Sequence, residues 1–296
     1  MKDTAKFQGI FTALLTPYGA DGKINEKVLS EQIERNIKQG ISGFYVNGST
    51  AEVFLLSEDE RNQLYRLVKE IAGNRVTLIA HIGCVGTEQA LRFGKTAEEL
   101  GYDAISSVAP FYYNFSYKEI KQHYFTLVDQ IALPMIVYNF PKFSGVSFSM
   151  ETFGEFLNDD RFLGIKHTST DFFMLEQLKT QFPSKILFNG YDEMFLAGLA
   201  MGADGAIGST FNLMADKFIR IMENFQTGNL PEAQRIQKQA NQVIAALCKV
   251  GVMQGEKAVM KFLGLDFGEA RMPFGKLEKE DIAYLEKTVL PLLNCD

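Results

Sequence analysis

Eight short apolar runs, each followed by a segment of helical period, predict an α/β fold for this chain: a (β/α)8 TIM barrel with a C-terminal helical extension. Eight is the number of parallel strands that closes such a barrel. The chain has 296 residues, more than the roughly 250 that a typical barrel needs. We therefore expect a single domain over residues 1–296, with the barrel at about 1–225 and C-terminal helices at about 226–296.

The predicted strands are rich in β-branched and aromatic residues and carry polar residues at their C-terminal ends. They cover residues 9–17, 43–50, 77–83, 104–110, 134–141, 163–169, 186–192 and 205–212. A doubly wound open sheet is the main competing fold, and it usually has a glycine-rich first turn. The first run ends in Leu15-Thr16-Pro17-Tyr18-Gly19 without such a turn, so the pattern favours the barrel.

The predicted helices begin and end at recognisable capping residues. A helical pattern over residues 28–39 is followed by Gly40, a common C-terminal helix signal. Segments 57–60 and 116–119 both have the Ser-x-x-Glu form of a capping box. Beyond the eighth run helical patterns dominate, apart from a connection with Gly and Pro near 264–275.

Composition argues against several classes of partner. A net charge of −6 and a pI near 5.3, without basic stripes, indicate no nucleic-acid partner. No apolar stretch reaches the roughly 18 residues of a membrane span, and the N-terminal segment has no signal-peptide core. The widely spaced Cys84, Cys248 and Cys295 suit a reducing compartment and small buried side chains. We expect a cytoplasmic protein that acts on a small molecule.

Lys166 is the only lysine or arginine within the eight predicted strands. A buried ammonium group loses hydration, which lowers its pKa and leaves a nucleophilic amine. The alternative is that its head reaches water over an apolar stem. Strand alternation puts Lys166 and Thr168 on one face and His167 on the other, toward the helices. A lone lysine in a barrel mouth suits Schiff-base chemistry.

Other polar residues lie at the same ends of the strands, where barrels build their active sites. Tyr138 ends the strand before that of Lys166 and could relay protons or simply be a core tyrosine. Ser49 and Thr50 offer hydroxyl and backbone N–H groups that could bind a carboxylate. Asp192 and Glu193 could hold hydroxyl groups, act as acid and base, or merely begin a helix.

Metal chemistry has no sequence signal. His81 and His123 have no partner at metal-ligand spacing, and no HExxH motif occurs. We expect no metal and structural roles for these histidines.

Three motifs in the right order resemble one enzyme family. They are Gly48-Ser49-Thr50-Ala51-Glu52, Tyr138-Asn139-Phe140-Pro141 with Ser144-Gly145, and Gly164-Ile165-Lys166-His167-Thr168. Together they resemble the pyruvate-dependent class I aldolase family of N-acetylneuraminate lyase and dihydrodipicolinate synthase, from about residue 9 to beyond 275.

The resemblance implies a role for each motif. Lys166 would be the Schiff-base lysine and Tyr138 the proton-shuttling tyrosine, while Ser49 and Thr50 would hold the pyruvyl carboxylate. It further implies a homotetramer without a cofactor, in which Tyr112 or Tyr113 reaches the site of a neighbouring subunit.

The resemblance also separates possible substrates. Phe143 stands where dihydrodipicolinate synthases carry an arginine, and Lys142 is expected to face away. Segments 189–193 and 208–212 look like those of sialic acid lyases. The residues that would bind substrate there, with Thr168 of the lysine motif, are Gly190, Asp192, Glu193, Gly208 and Ser209.

This comparison favours cleavage of N-acetylneuraminate to N-acetylmannosamine and pyruvate. The alternatives are a dihydrodipicolinate synthase, a 2-keto-3-deoxy sugar-acid aldolase, or a non-catalytic barrel that binds sugar acids. Ala51 departs from the glycine usual at its position. If the backbone there requires a positive φ, alanine would cost roughly 1 kcal/mol or more.

Overall fold

A computed structural model describes residues 4–293 of the chain. Residues 1–3 of the N-terminal segment and Cys295 lie outside the described residues. Cys84 is buried as expected. Cys248 is exposed, contrary to the expectation, because it lines a cavity. No helix in the described range is long and apolar enough to cross a membrane.

Eight parallel strands form a closed barrel, which confirms the predicted fold class. They pair in sequence order, and the eighth pairs back with the first. The strands are β1 (Gly9–Ala13), β2 (Gly43–Val46), β3 (Thr77–His81), β4 (Ala104–Val108), β5 (Met135–Asn139), β6 (Phe162–His167), β7 (Ile186–Asn189) and β8 (Gly205–Gly208). Each ends earlier than its predicted run, because the polar residues at the end of the run leave the sheet as loops.

Helices follow the strands and cover the outside of the barrel. They are α1 (Glu26–Gln39), α2 (Glu58–Ala72), α3 (Thr87–Glu99), α4 (Tyr117–Gln130), α5 (Pro141–Ser144), α6 (Met150–Leu157), α7 (Phe172–Gln181), α8 (Phe195–Ala200), α9 (Phe211–Gln226), α10 (Leu230–Val250), α11 (Val252–Phe262) and α12 (Lys279–Leu293). The last three form the expected C-terminal extension.

The predicted capping residues are confirmed. Gly40 ends α1 with a φ of +91°, which only glycine adopts without strain. At the start of α2 the Ser57 hydroxyl accepts from the Glu60 N–H at 3.2 Å, and the Glu60 carboxylate accepts from the Ser57 N–H at 2.8 Å. Ser116 and Glu119 form the same capping box at α4. These bonds satisfy backbone groups that the first helical turn leaves free.

The barrel interior is filled by large side chains. Phe11, Tyr45 and Phe188 are fully buried, and the rings of Phe11 and Phe188 meet edge to face at 5.1 Å. We call these three residues the interior aromatic cluster. Glycine at position 164 makes room within the sheet, because a Cβ there would collide with the Ile186 backbone. These aromatic side chains fill the interior of the barrel, and a cavity lies at the C-terminal ends of the strands.

Candidate active site

The cavity lies at the C-terminal ends of the strands and has a volume of about 880 Å³. The loops after β2, β4, β5, β6, β7 and β8 line it, together with α10, α11 and the connection to α12. Nine of the site residues predicted from the sequence come together there: Ser49, Thr50, Tyr138, Lys166, Thr168, Gly190, Asp192, Glu193 and Ser209. The predicted Gly208 lies just behind this lining.

Lys166 is buried in the cavity wall and is only 5% exposed, so its head does not reach bulk water. Its Nζ lies 4.2 Å from the ring centroid of Tyr138 and 4.4 Å from that of Tyr45. Burial lowers the pKa of Lys166 to about 7, although the Asp192 carboxylate acts in the opposite direction. A large fraction of this side chain is consequently a neutral amine near neutral pH.

Tyr138 lies directly beside Lys166, because the two residues are paired in register on β5 and β6. Its ring stacks on Phe140 at 5.7 Å and meets His81 edge to face at 5.8 Å. Burial raises the pKa of the Tyr138 hydroxyl, and the hydroxyl groups of Ser49 and Thr168 oppose that rise. Tyr138 is therefore a protonated hydroxyl group next to the amine.

The loop after β2 presents Ser49 and Thr50, which are half-buried in a short 3-10 helix. Ala51 belongs to this helix and has no positive φ, so the condition under which alanine would be strained there is not met. The left-handed residue is Glu52, with a φ of +57°. Alanine fits at position 51 because the positive φ falls on the next residue, Glu52.

Asp192 is buried and well held. Its Oδ2 accepts hydrogen bonds from the Thr210 backbone N–H at 2.9 Å and from the Thr210 hydroxyl at 2.7 Å. Burial raises the pKa of Asp192 to about 6, while the bonds from Thr210 lower it. Asp192 does begin a short 3-10 helix, as one reading predicted, but its carboxylate also lines the cavity. Glu193 is exposed in the cavity mouth.

Two glycines in this region are required by close packing. A Cβ at Gly190 would collide with the Thr168 hydroxyl, and one at Gly208 would collide with the Asp192 carboxylate. The backbones at these positions can therefore approach the polar groups that line the cavity.

His167 points away from the cavity, as strand alternation predicted. Its Nδ1 accepts from Asn139 Nδ2 at 3.1 Å, and its Nε2 donates to the Asp171 carbonyl at 3.0 Å. His81, by contrast, faces the barrel interior and packs against Tyr45 and Tyr138. Burial lowers the pKa of His81 to about 3, so this ring is neutral. Ile79, two residues earlier on β3, also lies in the barrel interior, as strand alternation requires.

Lys142 lines the cavity, and the expectation that it faces away is wrong. Positions 142 and 143 lie in α5, a single helical turn at the cavity edge, where both side chains reach the cavity. The ring of Phe143 packs against that of Phe140 in a tilted arrangement, with centroids 4.5 Å apart. Among the described residues that line this cavity there is no arginine.

The C-terminal extension contributes lining residues that the sequence does not mark as site residues. Cys248 of α10 and Gln254 of α11 line the cavity. Glu256 of α11 is fully buried beside the Ser209 hydroxyl. Burial raises the pKa of Glu256 to about 8, and the Ser209 hydroxyl opposes that rise. Such contacts join distant parts of the chain, and no local pattern signals them.

Tyr112 and Tyr113 do not line the cavity of their own chain. Tyr112 is 86% exposed and has a φ of +77°. The two rings meet edge to face at 5.1 Å. Within residues 4–293, no three His, Cys, Asp or Glu side chains are arranged to hold a metal ion.

Comparison with known proteins places this geometry in context. The profile of the dihydrodipicolinate synthetase family matches residues 6–290. The chain is 46% identical to N-acetylneuraminate lyase of Rhizobium meliloti (strain 1021), over 97% of this chain and 96% of that protein.

Solved structures show the same likeness. An N-acetylneuraminate lyase from Fusobacterium nucleatum, complexed with pyruvate, superposes with a TM-score of 0.91 at 37% identity and covers 96% of both chains. A dihydrodipicolinate synthase from Bacillus anthracis superposes with a TM-score of 0.93 but at 26% identity, over 98% of this chain and 99% of that one. The fold is thus common to both, and the sequence is closer to the lyases.

Proposed function

The chain belongs to the dihydrodipicolinate synthetase family, and from that membership we propose that it is a Schiff-base aldolase that cleaves N-acetylneuraminate to N-acetylmannosamine and pyruvate. The observation that carries the chemistry is the pairing of Lys166 with Tyr138. A buried amine whose pKa is about 7 stands beside a protonated phenol at the closed end of a cavity.

The first step is the attack of the neutral Lys166 amine on the C2 ketone of the open-chain sugar acid. Loss of water gives an iminium ion, which accepts the electron pair of the C3–C4 bond as that bond breaks. The C4 oxygen becomes the aldehyde of N-acetylmannosamine, and its proton leaves through Tyr138, helped by the substrate carboxylate. The remaining enamine is protonated at C3 and hydrolysed, which releases pyruvate and restores Lys166.

Each end of the cavity has a role in this proposal. The Ser49 and Thr50 hydroxyls bind the pyruvyl carboxylate, and the Thr168 hydroxyl supports Tyr138. At the other end Asp192 and Glu193 accept hydrogen bonds from the polyol tail. The remaining tail contacts are the Ser209 hydroxyl and the backbones of Gly190 and Gly208.

Two observations favour a polyol substrate over a second carboxylate. Although Lys142 lies at the cavity edge, the described lining holds no arginine, and Asp192 and Glu193 are acceptors suited to hydroxyl groups. The chain is 46% identical to an N-acetylneuraminate lyase but 26% identical to a dihydrodipicolinate synthase, which supports the same choice. A 2-keto-3-deoxy sugar acid would use the same contacts and remains the second candidate.

The proposal extends to the assembly. We propose a cytoplasmic homotetramer that needs no cofactor, because the lysine imine supplies the electron sink. Tyr112 or Tyr113 would reach the cavity of a neighbouring subunit. The positive φ of Tyr112 favours that residue, since strained backbone is kept mainly at functional positions.

Borohydride reduction tests the imine directly. With pyruvate and borohydride, the wild-type chain should gain one reduced pyruvyl group at Lys166, and the Lys166→Ala variant should gain none. Equal labelling of both chains contradicts the mechanism. Ligand binding without labelling of the wild-type chain would instead indicate a non-catalytic sugar-acid binder.

Substrate assays test the assignment within the family. We expect cleavage of N-acetylneuraminate and no condensation of pyruvate with aspartate semialdehyde. Condensation without cleavage would identify a dihydrodipicolinate synthase, and faster cleavage of a 2-keto-3-deoxy sugar acid would identify the second candidate.

A further inference from the structure

A buried ion pair joins the loop after β2 to the C-terminal extension. Lys257 Nζ of α11 lies 2.5 Å from Glu52 Oε1, and the two side chains are 2% and 0% exposed. The other oxygen, Glu52 Oε2, accepts a hydrogen bond from the Arg271 backbone N–H at 2.6 Å. Both anchors of the Glu52 carboxylate thus come from beyond the barrel.

The anchors are themselves held in place. Arg271 Nη1 donates to the Glu60 carboxylate at 2.8 Å and to the Leu55 carbonyl at 3.1 Å. The Tyr18 ring lies against both cations, with its centroid 4.1 Å from Lys257 Nζ and 4.4 Å from Arg271 Cζ. The position of the Glu52 side chain is therefore set by a connected group of buried and partly buried side chains.

The backbone of this loop is strained at both ends. Asn47 has a φ of +59° and Glu52 a φ of +57°, and neither residue is glycine. Such conformations persist only where the surroundings over-determine them. Asn47 is held by the hydrogen bond from its Nδ2 to the Arg61 carbonyl at 2.9 Å, and Glu52 by its two anchors. Between these ends lie Ser49 and Thr50.

Stability alone does not account for the ion pair. Removing two charges from water is costly, and apolar residues of similar size are often at least as stabilising as a buried pair. Burial lowers the pKa of Lys257, with Glu52 acting against that change, which agrees with a charge kept only by its partner. What the pair supplies is a fixed distance between α11 and the loop.

We propose that Lys257 and Arg271 position Glu52, and through it the Ser49 and Thr50 hydroxyls, so that the C-terminal extension sets the affinity of the barrel for the pyruvyl carboxylate. Lys257, Arg271 and Glu52 are positioning residues in this scheme. The inference rests on the proposed function, because the carboxylate site at Ser49 and Thr50 is part of it.

The test compares a ketone with a carboxylate and a ketone without one. The double variant Glu52→Met/Lys257→Met removes both charges and fills the same space, so it should fold. Borohydride trapping is measured against the concentration of pyruvate and, separately, of acetone. We expect the half-saturating pyruvate concentration to rise at least about tenfold, with acetone trapping unchanged, since acetone uses Lys166 but not the carboxylate site.

A matched control lies on the same helix. Lys261 of α11 pairs with Asp266 on the surface, where the side chains are 65% and 59% exposed, so Lys261→Met should change neither curve. Lys257→Arg retains the positive charge but changes the length and shape of the side chain that contacts Glu52. It provides a second variant if the double variant does not fold. The half-saturating pyruvate concentration of Lys257→Arg should lie between those of the wild type and the double variant. If the double variant does not fold, the value for Lys257→Arg should still lie above that of the wild type.

The outcomes separate the two proposals. No trapping of the wild type by pyruvate contradicts the proposed function itself. Normal wild-type trapping with an unchanged pyruvate curve in the double variant, or in Lys257→Arg where only that variant folds, overturns the positioning role. A parallel loss of pyruvate and acetone trapping also overturns it, because that result indicates general distortion.

Discussion

Replacing Lys166 with methionine should abolish the chemistry and stabilise the fold. Methionine has a similar length and no charge, so Lys166→Met keeps the packing against Tyr45 and Tyr138 while it removes a buried amine. The native structure holds that amine at a cost, because burial lowers its pKa from about 10.5 to about 7. The variant should be free of that cost.

The size of the effect follows from proton linkage. One pKa unit corresponds to 1.36 kcal/mol. The lowered pKa of Lys166 therefore destabilises the folded wild type by about 5 kcal/mol at low pH and by about 4 kcal/mol at pH 7. Between pH 7 and 10.5 the unfolded chain binds more protons at this residue than the folded chain does. The stability of the wild type therefore rises with pH across this window, and the advantage of the variant disappears toward its upper end.

Denaturant unfolding at several pH values between 6 and 10 measures this difference. Both chains are compared at one protein concentration, because assembly contributes to apparent stability. Lys166→Arg serves as a control, since it keeps a charge in the same surroundings and should not be stabilised. The reasoning is refuted if Lys166→Met is less stable than the wild type at pH 7, or if its advantage does not shrink as pH rises.

Two further predictions concern other buried groups. Tyr138→Phe keeps the ring packing and should still be trapped by pyruvate, while kcat for cleavage falls about 10²- to 10⁴-fold; equal loss of trapping and cleavage would show that Tyr138 does more than relay protons. Burial raises the pKa of Glu256 to about 8, so wild-type stability should fall as pH rises from about 4.5 through 8. The melting temperature of Glu256→Gln should gain on the wild type over that range, and a constant difference would contradict the assignment.

Much of the fold could be predicted because barrel strands have a clear sequence signature. Each of the eight predicted runs overlaps a strand, and the Lys166 strand lies beside the Tyr138 strand as expected. Since inward side chains of neighbouring parallel strands meet at one level, these two residues could be paired from the sequence alone. The strands end earlier than predicted, because polar residues of a run can continue a strand or begin a loop.

The rest of the site depends on contacts that no local pattern encodes. Glu52 and Arg271 are 219 residues apart and meet only because the extension folds back over the barrel. The motif around Ala51 indicates a tight turn but not which of its residues takes the positive φ, and the structure assigns it to Glu52. The side-chain direction of Lys142 also differs from the prediction, since a single helical turn has no neighbouring strand to fix its orientation.

The cavity is lined by residues on the barrel strands and by residues on the loops, and substitutions in these two sets should have different structural consequences. Lys166 and Tyr138 are fixed on adjacent strands above the interior aromatic cluster, where a substitution disturbs the packing of the whole sheet. Asp192, Glu193 and Ser209 lie on loops beyond β7 and β8, where a change of residue leaves the strands intact. Directed evolution toward new aldehyde acceptors should therefore vary these loops and leave the strands unchanged.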